Sequence, residues 1–146
     1  KMKLLTKYKI GFWPLGGDIM SRVDLRVFVE HYKIIALIDS DPGSSNIRNK
    51  FIEQCNSYNI EVTQLQRYAI ENYYDVETLR RVFKGDFPNA VQSIEPDRKL
   101  KDQIGFDVKR NSRKIARELP LRKLKGTDLM EFLNMIKTTL KQASKS

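Results

Sequence analysis

The sequence has few of the residues on which several common chemistries depend. Among its 146 residues there is one cysteine, Cys55, and one histidine, His31. A lone cysteine cannot form an internal disulfide, and a lone histidine without cysteine partners cannot build a zinc site. The phosphate-loop pattern G-x-x-x-x-G-K-[ST] and the nucleophile pattern G-x-S-x-G are also absent. These absences argue against a structural zinc site, a serine hydrolase and an ATPase site within these residues.

Long apolar runs and acidic charge are also scarce. No run approaches the roughly 20 residues that cross a bilayer, and KMKLLTKYKI lacks the apolar core of a signal peptide. We therefore expect a cytoplasmic protein. Lys and Arg number 27 against 18 Asp and Glu, a formal net charge of +9, which favours nucleic acid, an anionic membrane or another acidic partner. With 40% hydrophobic residues, the chain is expected to form a single domain over residues 1–146.

The first half of the chain alternates predicted strands with a predicted helix. KYKIGFWPLGG, residues 7–17, predicts a short strand that ends in a turn, and the apolar run at residues 33–38 predicts a strand covered on both faces. Ser44 or Ser45 can cap a helix with Ile47, Phe51 and Cys55 on one face. A third strand is predicted at residues 60–66. This order indicates a βαβ unit with a parallel sheet.

The second half of the chain predicts helices. Asp75 is placed to cap VETLRRVF, although it could instead approach an acidic site. Residues 84–110 predict a loop with one helical turn. Ser112 and Thr127 can cap two further helices, the second of which has a regular apolar stripe. The predicted class is therefore α/β, with a central, mainly parallel sheet and C-terminal helices.

Acidic residues follow two of the predicted strands. Asp39 and Asp41 come directly after the strongest strand, and Glu71 follows the third strand in RYAIENYY. If RYAIENYY leaves a next parallel strand at the same sheet edge, Glu71 is expected to approach Asp39 and Asp41. Ligands in open α/β sheets bind beyond the carboxyl ends of the strands, and carboxylate oxygens suit Mg²⁺ or Mn²⁺. Two plainer interpretations stay open: DSDPG is a polar turn, and Glu71 is a solvated loop carboxylate.

The order of these segments resembles the Toprim domain of the OLD-family nucleases. The most specific feature is LIDSD followed about 30 residues later by IENYY, between an upstream FWPLGG and a downstream RKIA. The resemblance covers roughly residues 8–140. It implies a Toprim-like, Rossmann-like three-layer fold, DNA cleavage, a preceding ABC-type ATPase domain and a role in anti-phage defence. The sequence leaves open whether the chain forms a homo-oligomer.

The resemblance also implies roles for individual residues. Asp39, Asp41 and Glu71 would bind Mg²⁺ or Mn²⁺, and Lys114 in RKIA would stabilise charge on the phosphate. Lys109 and Arg113 are alternatives to Lys114, and each of these cations could instead belong to a solvated helix face. The expected DNA-binding residues are Lys109, Arg110, Arg113, Lys114 and Arg117.

One expected feature is missing. A Toprim domain normally starts with a strand that ends in a metal-binding glutamate, and no such strand is evident here. Glu30 is only nine positions before Asp39, so we expect it to lie at the surface. We expect the chain to be a fragment of a longer protein, inactive alone if that glutamate is required.

Two other functions remain open. The first is a catalytically inactive Toprim-like module that binds nucleic acid or a partner subunit. The second is a receiver-like signalling domain in which Asp39 and Asp41 bind Mg²⁺, but its phosphoacceptor aspartate and its later lysine are not evident.

Overall fold

The computed structural model describes residues 9–16 and 19–143. Their order is helix, helix, strand, helix, strand and then four helices. The two strands are β1 (Ile35–Ile38) and β2 (Glu61–Gln64). The helices are α1 (Ile19–Arg22), α2 (Arg26–Val29), α3 (Ser45–Ser57), α4 (Val76–Phe83), α5 (Leu100–Ile104), α6 (Ser112–Glu118) and α7 (Asp128–Ala143). The described chain is thus mixed α/β.

The predicted βαβ unit is confirmed. β1 pairs with β2 in parallel, with Ile35 opposite Glu61 and Ile38 opposite Gln64, and α3 connects the two strands. The pairing continues beyond the strands, since the Leu65 N–H donates to the Ile38 carbonyl oxygen at 2.8 Å. Ile38 is buried, whereas the rest of β1 is only half-buried. The expectation of a strand covered on both faces is therefore met only at the end nearest Asp39.

The strand predicted in KYKIGFWPLGG is wrong for its described part, residues 9–16, which form no strand. Pro14 has no N–H to donate to a sheet, and Lys9 has a φ of 50°, outside the extended region. Phe12 is 85% exposed, so its side chain adds no packing that would hold this segment in an extended form. Residues 7, 8 and 17 of that prediction lie outside the described part of the chain.

A second correction concerns RYAIENYY. The notion that this segment leaves a further parallel strand is wrong within residues 9–16 and 19–143, whose sheet has two strands. Ile70–Tyr73 instead forms a single 3₁₀ turn shortly after β2. Glu71 therefore reaches the edge of the sheet through a turn.

The predicted helices of the second half are present. Asp75 caps α4, and Thr127 precedes α7 and accepts the Met130 N–H through its hydroxyl at 3.2 Å. Ser112 does not cap α6. Its hydroxyl donates to the Lys109 carbonyl oxygen at 2.8 Å, and Asn111 occupies the capping position.

Three apolar clusters make up the core. The first packs α3 against the strands around Phe51 and Cys55, and the second packs α4, α5 and α6 around Leu79 and Ile115. The third contains Leu65, Tyr73, Leu124 and Leu129, and is called the middle cluster because Leu37 of β1 and Leu119 after α6 both pack against it. Among the described helices, none is both long enough and apolar enough to cross a membrane.

Candidate metal and nucleic-acid site

Asp39 is the first residue after β1, at the carboxyl end of the sheet. Its Oδ1 accepts a hydrogen bond from the Ile70 N–H at 3.0 Å. Although the side chain reaches solvent, burial by its surroundings raises the pKa of Asp39, and the nearby charges of Glu71 and Asp41 act in the same direction. The Ile70 hydrogen bond and Lys109 oppose this effect. Asp39 is therefore harder to ionise than an ordinary aspartic acid.

Asp41 is held by its own loop. Its Oδ1 accepts a hydrogen bond from the Gly43 N–H at 3.0 Å, and its Oδ2 accepts one from the Ser44 hydroxyl at 3.1 Å. Asp41 thereby caps the 3₁₀ turn Pro42–Ser44. Burial alone would raise the pKa of Asp41, but hydrogen bonds from Tyr68, Gly43 and Ser44 together lower it. The polar-turn interpretation of DSDPG is thus correct for Asp41, and it does not conflict with a place at the sheet edge.

A buried arginine binds the backbone of the Asp41 loop. Arg48 of α3 is 7% exposed and donates from Nη1 to the Asp41 carbonyl oxygen at 2.8 Å. Ser40, between the two aspartates, donates to the Leu65 carbonyl oxygen and accepts from Gln64 Nε2. These contacts join the ends of the two strands and give Ser40 a structural role.

Glu71 lies on the Ile70–Tyr73 turn, next to the residue that binds Asp39. It is close enough to Asp39 for its charge to raise the pKa of that carboxyl. Asp39, Asp41 and Glu71 therefore lie at one edge of the structure, as the sequence predicted. Asp75 is not part of this group, because its carboxylate binds the Thr78 N–H at 3.1 Å and the Thr78 hydroxyl at 2.6 Å.

The two candidate lysines have different surroundings. Lys109 is close enough to Asp39 to lower its pKa. Lys114 Nζ instead donates to the Val82 carbonyl oxygen near the end of α4, at 3.2 Å. Lys109, which the sequence offered only as an alternative, is therefore the lysine beside the carboxylates.

The other predicted DNA-binding residues are exposed. Arg110 follows Lys109 in the 3₁₀ turn Lys109–Asn111, and Arg113 and Arg117 lie on α6. Ser112, between these two groups, lies close enough to Tyr74, in the segment that contains Glu71, to oppose the rise in the pKa of that phenol caused by burial. The basic segment thus begins beside the acidic edge and continues along α6.

The two tyrosines of IENYY are not free to stack on bases. Tyr73 is 3% exposed, and its burial together with its hydrogen bond to Asp128 raises the pKa of the phenol to about 12. Tyr74 packs against the α4–α6 cluster. Both tyrosine side chains therefore contribute to packing. Glu30, expected at the surface, is exposed.

Sequence reasoning missed three residues around the carboxylates. Tyr68 forms a hydrogen bond with Asp41, Arg48 holds the Asp41 loop, and Asp128 binds Tyr73. Asp128 directly follows Thr127, which the sequence predicts only as a helix cap. The sequence gives no signal for Tyr68 or Arg48, because both act on the Asp41 loop, whose geometry hydrophobic periodicity does not predict.

The acidic residues at this edge supply oxygen donors for a hard divalent cation. Carboxylate oxygens are the right ligand type for Mg²⁺ or Mn²⁺. Within residues 9–16 and 19–143, however, no three His, Cys, Asp or Glu side chains are grouped so that they could hold a metal ion. The residue types therefore fit the cation, but the described carboxylates are not grouped into a metal-binding cluster.

Comparison with known proteins adds no assignment. No protein-family model, no curated protein and no solved structure matches the chain.

Proposed function

We propose that this chain is a metal-dependent DNA endonuclease domain with a Toprim-like, three-layer fold related to the OLD family. The observation that supports this most directly is the approach of Asp39 and Glu71 at the carboxyl end of a parallel βαβ unit, with Asp41 two residues away and Lys109 alongside. This is the edge at which open α/β sheets bind ligands. The resemblance of LIDSD and IENYY to the family supports the same proposal.

In this proposal, Asp39, Asp41 and Glu71 hold Mg²⁺ or Mn²⁺. A bound cation of this kind activates water and neutralises charge on a phosphodiester. Asp39 is the best-placed ligand, because Ile70 engages only its Oδ1. Asp41 can contribute through lone pairs that Gly43 and Ser44 leave available, since a carboxylate has about four acceptor positions.

Lys109 is the cation we assign to the scissile phosphate. It lies beside Asp39, whereas the Lys114 ammonium group is bound to a helix carbonyl. Arg110, Arg113 and Arg117 then provide exposed positive charge for the flanking phosphates. Contacts of this kind position a duplex without reading its sequence.

The first test is Mn²⁺ binding by calorimetry, comparing the chain with Asp39→Asn and Asp41→Asn. We expect both variants to lose most of the binding. The matched control is Asp86→Asn, because Asp86 is an exposed acid after α4 and should leave binding unchanged. Equal binding by all four proteins would refute the metal site. Nicking of supercoiled plasmid with Mn²⁺ then tests cleavage, again with Asp39→Asn as the inactive control.

A catalytically inactive nucleic-acid-binding module is the second candidate. The open arrangement of the carboxylates favours it, since the described residues offer no ready-made metal cluster. This candidate predicts DNA binding that is the same in EDTA, in Mn²⁺ and in Asp39→Asn. The nuclease proposal predicts that Mn²⁺ strengthens binding only when Asp39 is present.

The wider context is proposed from the resemblance alone. An ABC-type ATPase domain in the same natural chain, a role in anti-phage defence and a cytoplasmic location would follow from membership of the OLD family. Cleavage by the 146-residue chain without ATP would show that the nuclease step needs no such domain.

A further inference from the structure

A hydrogen-bond network joins the start of α7 to the turn that borders Asp39. The Tyr73 hydroxyl donates to the Asp128 carboxylate, at 2.7 Å from either oxygen. The Gln66 N–H donates to Asp128 Oδ2, also at 2.7 Å. Tyr73 is only 3% exposed, so its bond to a charged acceptor is largely shielded from water. One carboxylate of α7 therefore binds both the segment just after β2 and the Ile70–Tyr73 turn.

The Ile70–Tyr73 turn is a short 3₁₀ turn of four residues. The backbone bonds at its two ends are the Asn72 N–H to Ala69 at 3.0 Å and the Tyr74 N–H to Glu71 at 3.2 Å. An isolated 3₁₀ turn of this length is marginal in water. Its position must therefore come from side chains that reach other elements.

Two buried side chains of the turn supply that support. Asn72 Nδ2 donates to the carbonyl oxygens of Glu95 and Arg98, at 2.9 and 2.7 Å. Tyr73 makes the bond to Asp128 on α7. Arg67 closes the network, because its guanidinium lies 4.6 Å from the centre of the Tyr73 ring and donates to the Asn72 carbonyl oxygen at 2.7 Å.

The turn fixes two groups of the carboxylate site at once. Its first residue, Ile70, donates its N–H to Asp39, and its second residue is Glu71. We propose that Asp128 is a positioning residue of this site, acting through Tyr73 on the turn that presents Ile70 and Glu71. This inference rests on the proposed function, since it assigns Asp128 a role in metal binding by Asp39 and Glu71.

The test measures the Mn²⁺ dissociation constant by calorimetry in the full chain. Asp128→Ala and Tyr73→Phe should each weaken binding about tenfold, the low end of the loss seen when a partner of a metal ligand is removed. Both changes break the same bond, so the double variant should bind no more weakly than the weaker single variant. Asp128→Asn keeps an oxygen for the Tyr73 hydroxyl and should recover most of the affinity.

A structural control separates positioning from lost stability. Leu129 is the residue after Asp128, is 7% exposed and packs in the same cluster as Tyr73. Leu129→Val should lower the Tm without changing the Mn²⁺ dissociation constant. If it weakens binding as much as Asp128→Ala does, the effect is general destabilisation and the inference is overturned. Should Asp128→Ala not fold, Tyr73→Phe keeps the buried ring and provides the decision.

Asp39→Asn distinguishes this inference from the proposed function. Loss of binding in Asp39→Asn with unchanged binding in Tyr73→Phe and Asp128→Ala would overturn the positioning role and leave the nuclease proposal standing. Unchanged binding in Asp39→Asn would overturn both.

Discussion

Asp39 and Asp41 are two residues apart, yet their surroundings act on them in opposite directions. Burial and neighbouring carboxylates raise the pKa of Asp39, whereas hydrogen bonds from its own loop and from Tyr68 lower the pKa of Asp41. The sequence predicted that both lie at the strand end, because they directly follow the apolar run of residues 33–38. It could not predict the difference, which depends on donors that the Ile70–Tyr73 turn and the Gly43 loop bring to each carboxylate.

We expect these two acids to respond oppositely to substitution. A carboxyl whose pKa is raised by folding stabilises the fold at low pH and loses that contribution as pH rises through the folded pKa. Asp39→Asn should therefore raise the Tm at pH 7 and have little effect at pH 3. Asp41, with its lowered pKa, contributes stability above its usual pKa of 3.8, so Asp41→Asn should lower the Tm at pH 7. Melting curves at both pH values test this, and a lower Tm for Asp39→Asn at pH 7 would contradict it.

The two lysines give a second prediction at this scale. Lys109→Gln should reduce DNA nicking about 100-fold at saturating Mn²⁺, the smaller loss seen when a donor that stabilises developing charge is removed. Lys114→Gln should change nicking less than threefold and lower the Tm slightly, because Lys114 binds the Val82 carbonyl oxygen near the end of α4. Single-turnover nicking of both variants decides between them. A larger loss of nicking for Lys114→Gln than for Lys109→Gln would assign the phosphate-stabilising role to Lys114 instead.

At the scale of elements, local sequence signals predicted most of the structure. Lys33–Ile38 contains β1, the spacing of Phe51 and Cys55 marks α3, and Asp75 marks the start of α4. Two segments were misjudged. FWPLGG has apolar residues at strand-like spacing, but its described part does not pair with the sheet. IENYY has a turn geometry that depends on Asn72 and Tyr73 contacting distant residues. Short segments held by long-range contacts carry little local signal.

The α4 cap gives the prediction for this scale. Asp75→Ala removes the acceptors of the Thr78 N–H and the Thr78 hydroxyl, and should cost about 1–2 kcal/mol of unfolding free energy. We expect the upper part of that range because Thr78 is fully buried and its groups would lose their partner. Asp75→Asn keeps one acceptor and serves as the control. Urea unfolding measures both, and an unchanged midpoint in Asp75→Ala would count against the cap.

At the scale of the whole molecule, composition predicted a basic protein with an acidic partner. It did not predict where on the surface the positive charge lies. The structure places Lys109 beside Asp39 and leaves Arg110, Arg113 and Arg117 exposed on the following segment. The sequence could predict that these residues share one region, because they are close together in the chain. The position of Lys109 beside Asp39 depends on packing between segments that are far apart in the chain, which no local pattern contains.

DNA binding should therefore depend steeply on salt and little on sequence. Replacing Arg110, Arg113 and Arg117 by Gln should lower the slope of log K against log salt by up to about 3, roughly one for each lost phosphate contact. The control removes the same charge from the other half of the chain, by changing exposed Arg22, Lys33 and Lys50 to Gln. Fluorescence anisotropy with a labelled duplex measures the slopes. Equal slopes for the two triple variants would show that only net charge matters.

The division of the core into three clusters has a thermodynamic consequence for the site. Asp39 follows Ile38 of the α3 cluster, whereas Glu71 shares a turn with Tyr73 of the middle cluster. The two carboxylates thus belong to parts of the molecule that could open separately. A cation bound by both would link those parts, so its binding energy would add to the cooperativity of unfolding. Hydrogen exchange with and without Mn²⁺ would then show the α3 and middle clusters exchanging as two units in the free protein and as one in the bound protein.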